Sequence, residues 1–233
     1  MSKVEEYILR TENLCKHFGK QLAVNNISLK IKPNTIYGFL GPNGAGKSTT
    51  LKMITGLLRH DKGEIFVDGE KWKRKHLEDI GALIEYPAIY GNLTAVENLT
   101  IHTKLMGLPK EEIGRVLDIV NLKNTGKKPS AKFSLGMKQR LGMAIALLGS
   151  PKILILDEPT NGLDPIAITE LRDLIRSFPE RGITVILSSH VLTEVSQIVD
   201  HIGIINDGEL KYQRAISKNE NLEDLFMKVV KGA

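Results

Sequence analysis

Residues 41–48 read Gly41-Pro42-Asn43-Gly44-Ala45-Gly46-Lys47-Ser48, and this octet decides the fold. A glycine, four residues, a second glycine and then Lys-Ser is the pattern of a loop whose backbone N–H groups wrap a polyphosphate. Glycine lets the chain pass close to the phosphates and adopt angles that other residues resist. Lys47 supplies a cation for the β- and γ-phosphates, and Ser48 a hydroxyl for Mg²⁺. The flanks agree with this reading. The apolar run Thr35 to Leu40 predicts a buried strand before the loop. Thr49, Leu51, Ile54 and Leu57 predict a helix after it, with its N-terminus against the anion. Gly41 to Thr49 are therefore the expected binding residues for a nucleoside triphosphate. An accidental glycine loop would carry neither flank.

Composition narrows the setting. In 233 residues, 42% hydrophobic and 25% charged content is ordinary for a water-soluble globular chain. No apolar run approaches the roughly 18 residues of a membrane helix. Met1 to Arg10 lacks the apolar core of a secretory signal. The single cysteine, Cys15, excludes an internal disulfide and points to a reducing cytoplasm. A net charge of +5 permits contact with anionic lipid or nucleic acid. Lys71, Lys73, Arg74 and Lys75 form one basic cluster, and Lys127 and Lys128 a smaller one. Both also fit solvated turns and helix faces.

Periodicity orders the rest. Tyr7 to Ser28 alternates as strands around a Gly19-Lys20 turn, and Ile65 to Val67 is a strand ending at Asp68-Gly69. Ile80 to Glu85 is a short apolar run. From Ala95 to Leu148 the spacing becomes helical, with Val96, Leu99, Ile101 and Leu105 on one stripe and Ile113, Val116, Leu117 and Val120 on another. Gly126 to Lys132 reads as a loop. Strands at Ile153 to Leu156 and Thr184 to Leu187, a helix from Ile166 to Ser177, and a last strand at Ile202 to Ile205 complete the core. Strand–helix alternation argues a parallel sheet covered by helices, with the helical stretch inserted as a lobe.

Two further strings bear on the phosphate chemistry. Ile153-Leu-Ile-Leu-Asp157-Glu158 carries two acids to a strand end, where open parallel sheets bind their ligands. Asp157 would hold Mg²⁺ with Ser48, and Glu158 would orient and deprotonate an attacking water. Ser188-Ser189-His190 ends the next strand on the same rim, so His190 is placed to donate to a γ-phosphate. Phe133-Ser134-Leu135-Gly136-Met137 precedes a helix with Leu141, Ala144, Ile145 and Leu148 on its apolar face. Ser134 fits an N-cap, and the same helix start fits an anion site; spacing does not separate the two.

In this order, from Tyr7 to about Gly208, these elements resemble the nucleotide-binding subunit of ATP-binding cassette (ABC) transporters. Gly41 to Ser48 looks like the Walker A loop and Ile153 to Glu158 like Walker B. Asn161-Gly162-Leu163-Asp164 resembles the D-loop and His190 the switch histidine. Phe18 sits where the family stacks an aromatic on adenine. Phe133 to Met137 matches the signature motif, whose serine and glycine, here Ser134 and Gly136, bind ATP held by the opposite protomer. The resemblance implies an α/β P-loop NTPase core of RecA-like type, residues 1–86 and 150–215. It adds an N-terminal antiparallel β region, a helical lobe at 87–149 and a helical tail at 216–233. It further implies ATP and Mg²⁺ as ligands, a head-to-tail dimer with a second nucleotide-binding subunit, and separate transmembrane permease subunits. The chain would sit peripherally on the cytoplasmic face, with no nucleic acid as partner and any peptide substrate bound by the permease.

Two departures sharpen the resemblance. The signature motif usually reads Leu-Ser-Gly-Gly-Gln; here Phe133 replaces the leucine and Leu135 the first glycine, while Ser134 and Gly136 remain. Ile80-Gly-Ala-Leu-Ile-Glu85-Tyr-Pro then places Glu85 at the Q-loop glutamine. A carboxylate accepts hydrogen bonds but does not donate them, so Glu85 is expected to ligate Mg²⁺ or act in hydrolysis without donating to the γ-phosphate. Both departures are similar to the branch serving lantibiotic self-immunity and bacitracin-type resistance. Rival readings are a cassette ATPase acting on nucleic acid or ribosomes, and a regulatory nucleotide-binding module without turnover. One cassette rather than two argues against the first, and the presence of Glu158 and His190 against the second.

Overall fold

The alternating first segment forms β1 (Leu9–Phe18), which turns at Gly19-Lys20 into β2 (Gln21–Ile27). The computed structural model describes residues 6–216 and 221–231. The first five residues, and residues 217–220 and 232–233 of the expected tail, lie outside that range. Short β3 (Lys30–Ile31) leads to β4 (Ile36–Leu40), the phosphate-loop strand, and then to α1 (Lys47–Ile54). A hairpin of β5 (Lys62–Val67) and β6 (Glu70–Lys71) precedes β7 (Ile80–Leu83). Three helices follow: α2 (Ala95–Met106), α3 (Glu111–Ile119) and α4 (Leu135–Ala146). Then come β8 (Ile153–Asp157), α5 (Pro165–Arg176), β9 (Thr184–Ser189) and α6 (Leu192–Val195). Strands β10 (His201–Asn206) and β11 (Glu209–Ala215) and helix α7 (Leu222–Lys231) end the fold.

The strands form two sheets. A six-stranded sheet runs in the order β11-β10-β4-β9-β8-β7, parallel except for β11, and an antiparallel sheet runs β2-β1-β5-β6 with β3 paired to β1. Successive side chains of the central strands face opposite ways. Tyr37, Phe39, Ile155 and Ile186 pack with Leu9, Ile27 and Leu51 between the two sheets. Leu40, Leu154, Leu156, Val185 and Leu187 pack with Leu99, Val116, Leu141 and Ala144 of the helices on the other face. Burial on both faces is why these runs are apolar throughout.

Parallel register then places the chemistry. Leu40 lies beside Ser189, and Asp157 beside Ser188, so the phosphate loop, both acids and His190 leave the sheet at one end.

Three expectations need correction. Leu57 lies beyond α1 and is exposed. Val96 and Leu105, expected on the buried stripe of α2, face outward, while Ala95, Asn98, Leu99 and Thr103 face in. Asn98 is buried because its side chain caps the preceding loop: its amide donates to Tyr90 O (3.1 Å) and Thr94 O (2.9 Å), and its oxygen accepts from Tyr90 N (2.7 Å). The expected loop 126–132 closes with a 3₁₀ turn at Ser130–Lys132.

Candidate active site

The phosphate loop is shaped by a backbone state that needs glycine. Gly46 has φ 105, and a Cβ there would lie 2.7 Å from Ala23 O. It begins α1 directly, so the helix's first N–H groups open onto the loop. The Lys47 side chain is buried and folds along the loop. Its ammonium donates to Gly41 O (2.8 Å) and Pro42 O (3.2 Å) and lies 3.2 Å from Glu158 Oε1.

On the facing rim, Glu158 is held from two sides. Oε1 meets Lys47, and Oε2 lies 2.8 Å from His190 Nδ1. Glu158 takes φ 49, so it leaves the strand's alternation and its carboxylate does not point opposite to that of Asp157. The Asp157 side chain is 2% exposed and accepts from Ser188 Oγ at 2.6 Å.

A groove of about 320 Å³ runs from Phe18 and Gln21 past Asn43, Gly44 and Gly46 to Lys47, Ser48, Thr49 and Glu158. Phe18 is half exposed at its outer end. The β1 end that presents it is tied by Asp61, whose carboxylate accepts from His17 N (2.6 Å) and Lys16 Nζ (3.0 Å). The His17 N–H, with the Lys16 ammonium, lowers the Asp61 pKa to about 2. Sequence reasoning gave no sign of this tie, because Asp61 lies 44 residues from His17.

A second cavity of about 410 Å³ adjoins the first, lined by Ser48, Asp157 and Glu158 together with Glu85, Leu135 and Gln139. Glu85 takes φ 59, and its Oε1 pairs with Lys52 Nζ of α1 at 2.6 Å. Lys52 was invisible as a partner in the sequence, since an exposed helical lysine carries no pattern. Ser134 caps α4, accepting from Met137 N at 3.2 Å, and its residue is exposed. Gly136 is buried where α4 meets α5; a Cβ there would stand 3.1 Å from Ala167 Cβ. Asp164 caps α5, accepting from Ala167 N at 2.9 Å, and lines neither cavity. Within one chain, therefore, the fold gathers Phe18, the phosphate loop, Glu85, Asp157, Glu158 and His190. Ser134, Gly136 and Asp164 line neither cavity, although Leu135 between the first two lines the second.

These residues fit a triphosphate with a hard cation. The loop turns through a left-handed Gly46 that packs too closely on Ala23 O for a Cβ, Lys47 is a buried cation, and Asp157 is a buried carboxylate on the cavity that Ser48 also lines. Among the described residues no group of three or more His, Cys, Asp or Glu is arranged to hold a metal. A cation here must complete its shell with phosphate and water oxygens, as Mg²⁺ does. A larger cavity, about 910 Å³, lies around Pro151 and Ile183 at the strands' N-terminal ends. Open α/β sheets bind their ligands at the other end.

The family described as ABC transporter matches residues 24–161, spanning the loop, helices α1 to α4 and both acids. The chain belongs to the ABC transporter family. It is similar to the lantibiotic transport ATP-binding protein SrtF of Streptococcus pyogenes, with 47% identity over 94% of this chain and 96% of that one. It is 51% identical to the bacitracin transport ATP-binding protein BcrA of Bacillus licheniformis, over 87% of this chain and 68% of that one. Among solved structures, cbiO1 of Clostridium perfringens, part of the transporter complex cbiONQ, superposes with a TM-score of 0.82 at 30% identity. That match covers 91% of this chain and 89% of the other. As an ABC cassette the protein is an ATPase, the ATP-hydrolysing motor of a transporter. Motors of this family dimerise and work with membrane subunits. Among the described residues no helix is long and apolar enough to cross a membrane.

Proposed function

We propose that this ABC ATPase powers the expulsion of an antimicrobial peptide of lantibiotic or bacitracin type. Two identical copies close on two ATP molecules, and separate permease subunits bind the peptide. Glu158 carries the reading of the chemistry: a carboxylate held between Lys47 and His190, on the rim of a glycine-shaped anion loop. ATP's adenine stacks on Phe18, and its phosphates lie on the N–H groups from Gly41 to Thr49. Lys47 moves its donors from loop carbonyls to phosphate oxygens. Glu158 orients a water molecule and accepts its proton as the new P–O bond forms and the β–γ bridging bond breaks. His190 fixes the Glu158 carboxylate and stands next to the terminal phosphate. Ser48 and Asp157, with Glu85 on the same cavity wall, would hold Mg²⁺, which when bound neutralises charge on the phosphates.

Ser134 and Gly136 line neither cavity of their own chain, which supports a role against the ATP of a second copy, with Asp164 on the same interface. The permease side is supported by an apolar groove of about 330 Å³ between Leu57, Leu77, Ile84, Tyr86 and Ile145. Leu57 and Tyr86 are largely exposed there, and Tyr86 adjoins Glu85. The groove supports a peripheral seat on the cytoplasmic face of the membrane. The catalytic core comprises residues 1–86 and 150–215, the helical lobe 87–149 and the tail 216–233. In the larger basic cluster, Lys71 pairs with Glu64 and Lys75 with Glu70, which supports a solvated hairpin over a nucleic-acid surface.

The test is expression with the membrane subunits in a peptide-sensitive host. Resistance to a lantibiotic or bacitracin should rise with the parent and vanish with Glu158→Gln, while that variant still binds ATP and dimerises with it. Resistance unaltered by Glu158→Gln, or co-purification with salt-sensitive RNA in place of membrane protein, would refute the reading.

A further inference from the structure

We infer that Ser188 is a positioning residue for ATP hydrolysis, its one hydroxyl fastening both acids of the site in their working geometry. The inference rests on the reading of Asp157 and Glu158 proposed above. Parallel pairing of β8 with β9 sets Ser188 directly beside Asp157. Ser188 Oγ donates to Asp157 Oδ1 at 2.6 Å and accepts from Glu158 N at 2.9 Å. The serine is fully buried and Asp157 nearly so, so both bonds are shielded from bulk water.

The geometry has a purpose because the two acids are adjacent in sequence. On a continued strand, Asp157 and Glu158 would point to opposite faces of the sheet. Glu158 escapes that alternation through φ 49, a left-handed backbone state that glutamate resists and that persists only where its surroundings enforce it. One enforcing contact is the Ser188 hydroxyl on the Glu158 N–H. Another comes from the opposite side, where Gln139 Nε2 of α4 donates to Pro159 O at 3.1 Å. With the turn held, the Glu158 carboxylate reaches Lys47 and His190 while Asp157 stays on the cavity that Ser48 also lines. An apolar side chain at 188 would pack as well in a buried strand, but the Asp157 carboxylate and the Glu158 N–H would each lose a hydrogen bond.

The experiment uses the full chain with Ser188→Ala, Ser188→Thr and Glu158→Gln. It reads ATP turnover, KM for ATP, melting temperature, and hydrogen exchange resolved at the Glu158 amide. Ser188→Ala is expected to lower kcat roughly 10- to 100-fold, as a misplaced catalytic group does, with KM changed less than about threefold. The Glu158 amide should exchange at least about tenfold faster than the shift in global stability accounts for. Ser188→Thr keeps the hydroxyl and should restore the Glu158 protection and most of kcat. Should Ser188→Ala fail to fold, Ser188→Cys, with similar volume and a weakly bonding thiol, carries the same expectations. A Ser188→Ala protein with kcat within twofold of the parent, or with Glu158 protection unchanged, overturns the inference. Parent-like turnover in Glu158→Gln would instead overturn the role of Glu158, a result that the exchange measurement on Ser188 keeps separate.

Discussion

At position 85 a carboxylate stands where the resemblance expects an amide, and the fold answers it with Lys52 at 2.6 Å. Both side chains are substantially solvated, so the pair is worth only about 0.2–1 kcal/mol and weakens with salt. A double-mutant cycle with Lys52→Ala and Glu85→Gln should return a coupling energy in that range from urea melts at low salt, shrinking at 0.5 M. A cycle with no coupling at low salt would mean that the two groups do not meet in solution. Gly46 is less forgiving. Its φ of 105 and the nearby Ala23 carbonyl leave no place for a methyl group. Gly46→Ala should destabilise the fold by about 1–3 kcal/mol and abolish binding of a fluorescent ATP analogue. The glycine pattern was legible in the sequence because this loop needs specific backbone angles. Lys52 was not, because a surface ion pair obeys no spacing rule across 33 residues.

Among the elements, α2 shows how a periodicity can be right about a helix and wrong about its face. Its buried side carries Asn98 and Thr103 while Val96 and Leu105 are exposed, because the loop before it has backbone groups that need partners. Asn98→Ala should cost about 1–3 kcal/mol in denaturant, more than any exposed apolar residue of the same helix, since it takes the hydrogen-bond acceptor from the Tyr90 N–H. The helix start is a capping box, with Glu97 N donating to Thr94 Oγ1 and Thr94 N to Glu97 Oε2. Thr94→Ala should cost about 1 kcal/mol. The Thr94 N–H holds the Glu97 carboxyl below its ordinary range. Its contribution is therefore present above the unfolded carboxyl pKa and lost as pH falls through the folded one. Glu97→Gln, which removes the titrating carboxyl and keeps an acceptor for the Thr94 N–H, should accordingly flatten the acid limb of the stability curve.

For the molecule as a whole, both faces of the central sheet are core, so its strands tolerate little loss of volume. Leu154→Ala should cost about 2–5 kcal/mol by urea denaturation, and a value near zero would mean that the helical face packs loosely. Burial lowers the pKa of His102 on α2 and of His201 on β10, where Lys32 adds to the effect. Between their folded and unfolded values the unfolded chain binds more protons, so stability rises with pH there. The melting temperature should fall as pH drops from 7.5 to 5.5, and the double variant His102→Leu/His201→Leu should lose part of that slope. A profile as steep as the parent's would assign the loss to other groups.

Sequence alone determined the phosphate loop, the apolar strands, the strand-end acids and the order of elements, because each is written in local spacing or in a pattern that only one backbone geometry satisfies. Tertiary structure decided what meets what. Glu158 between Lys47 and His190, Ser188 across both acids, Gln139 on Pro159 and Asp61 on His17 are all contacts between segments far apart in the chain. Such contacts follow from strand register and helix packing, which single residues do not encode one by one.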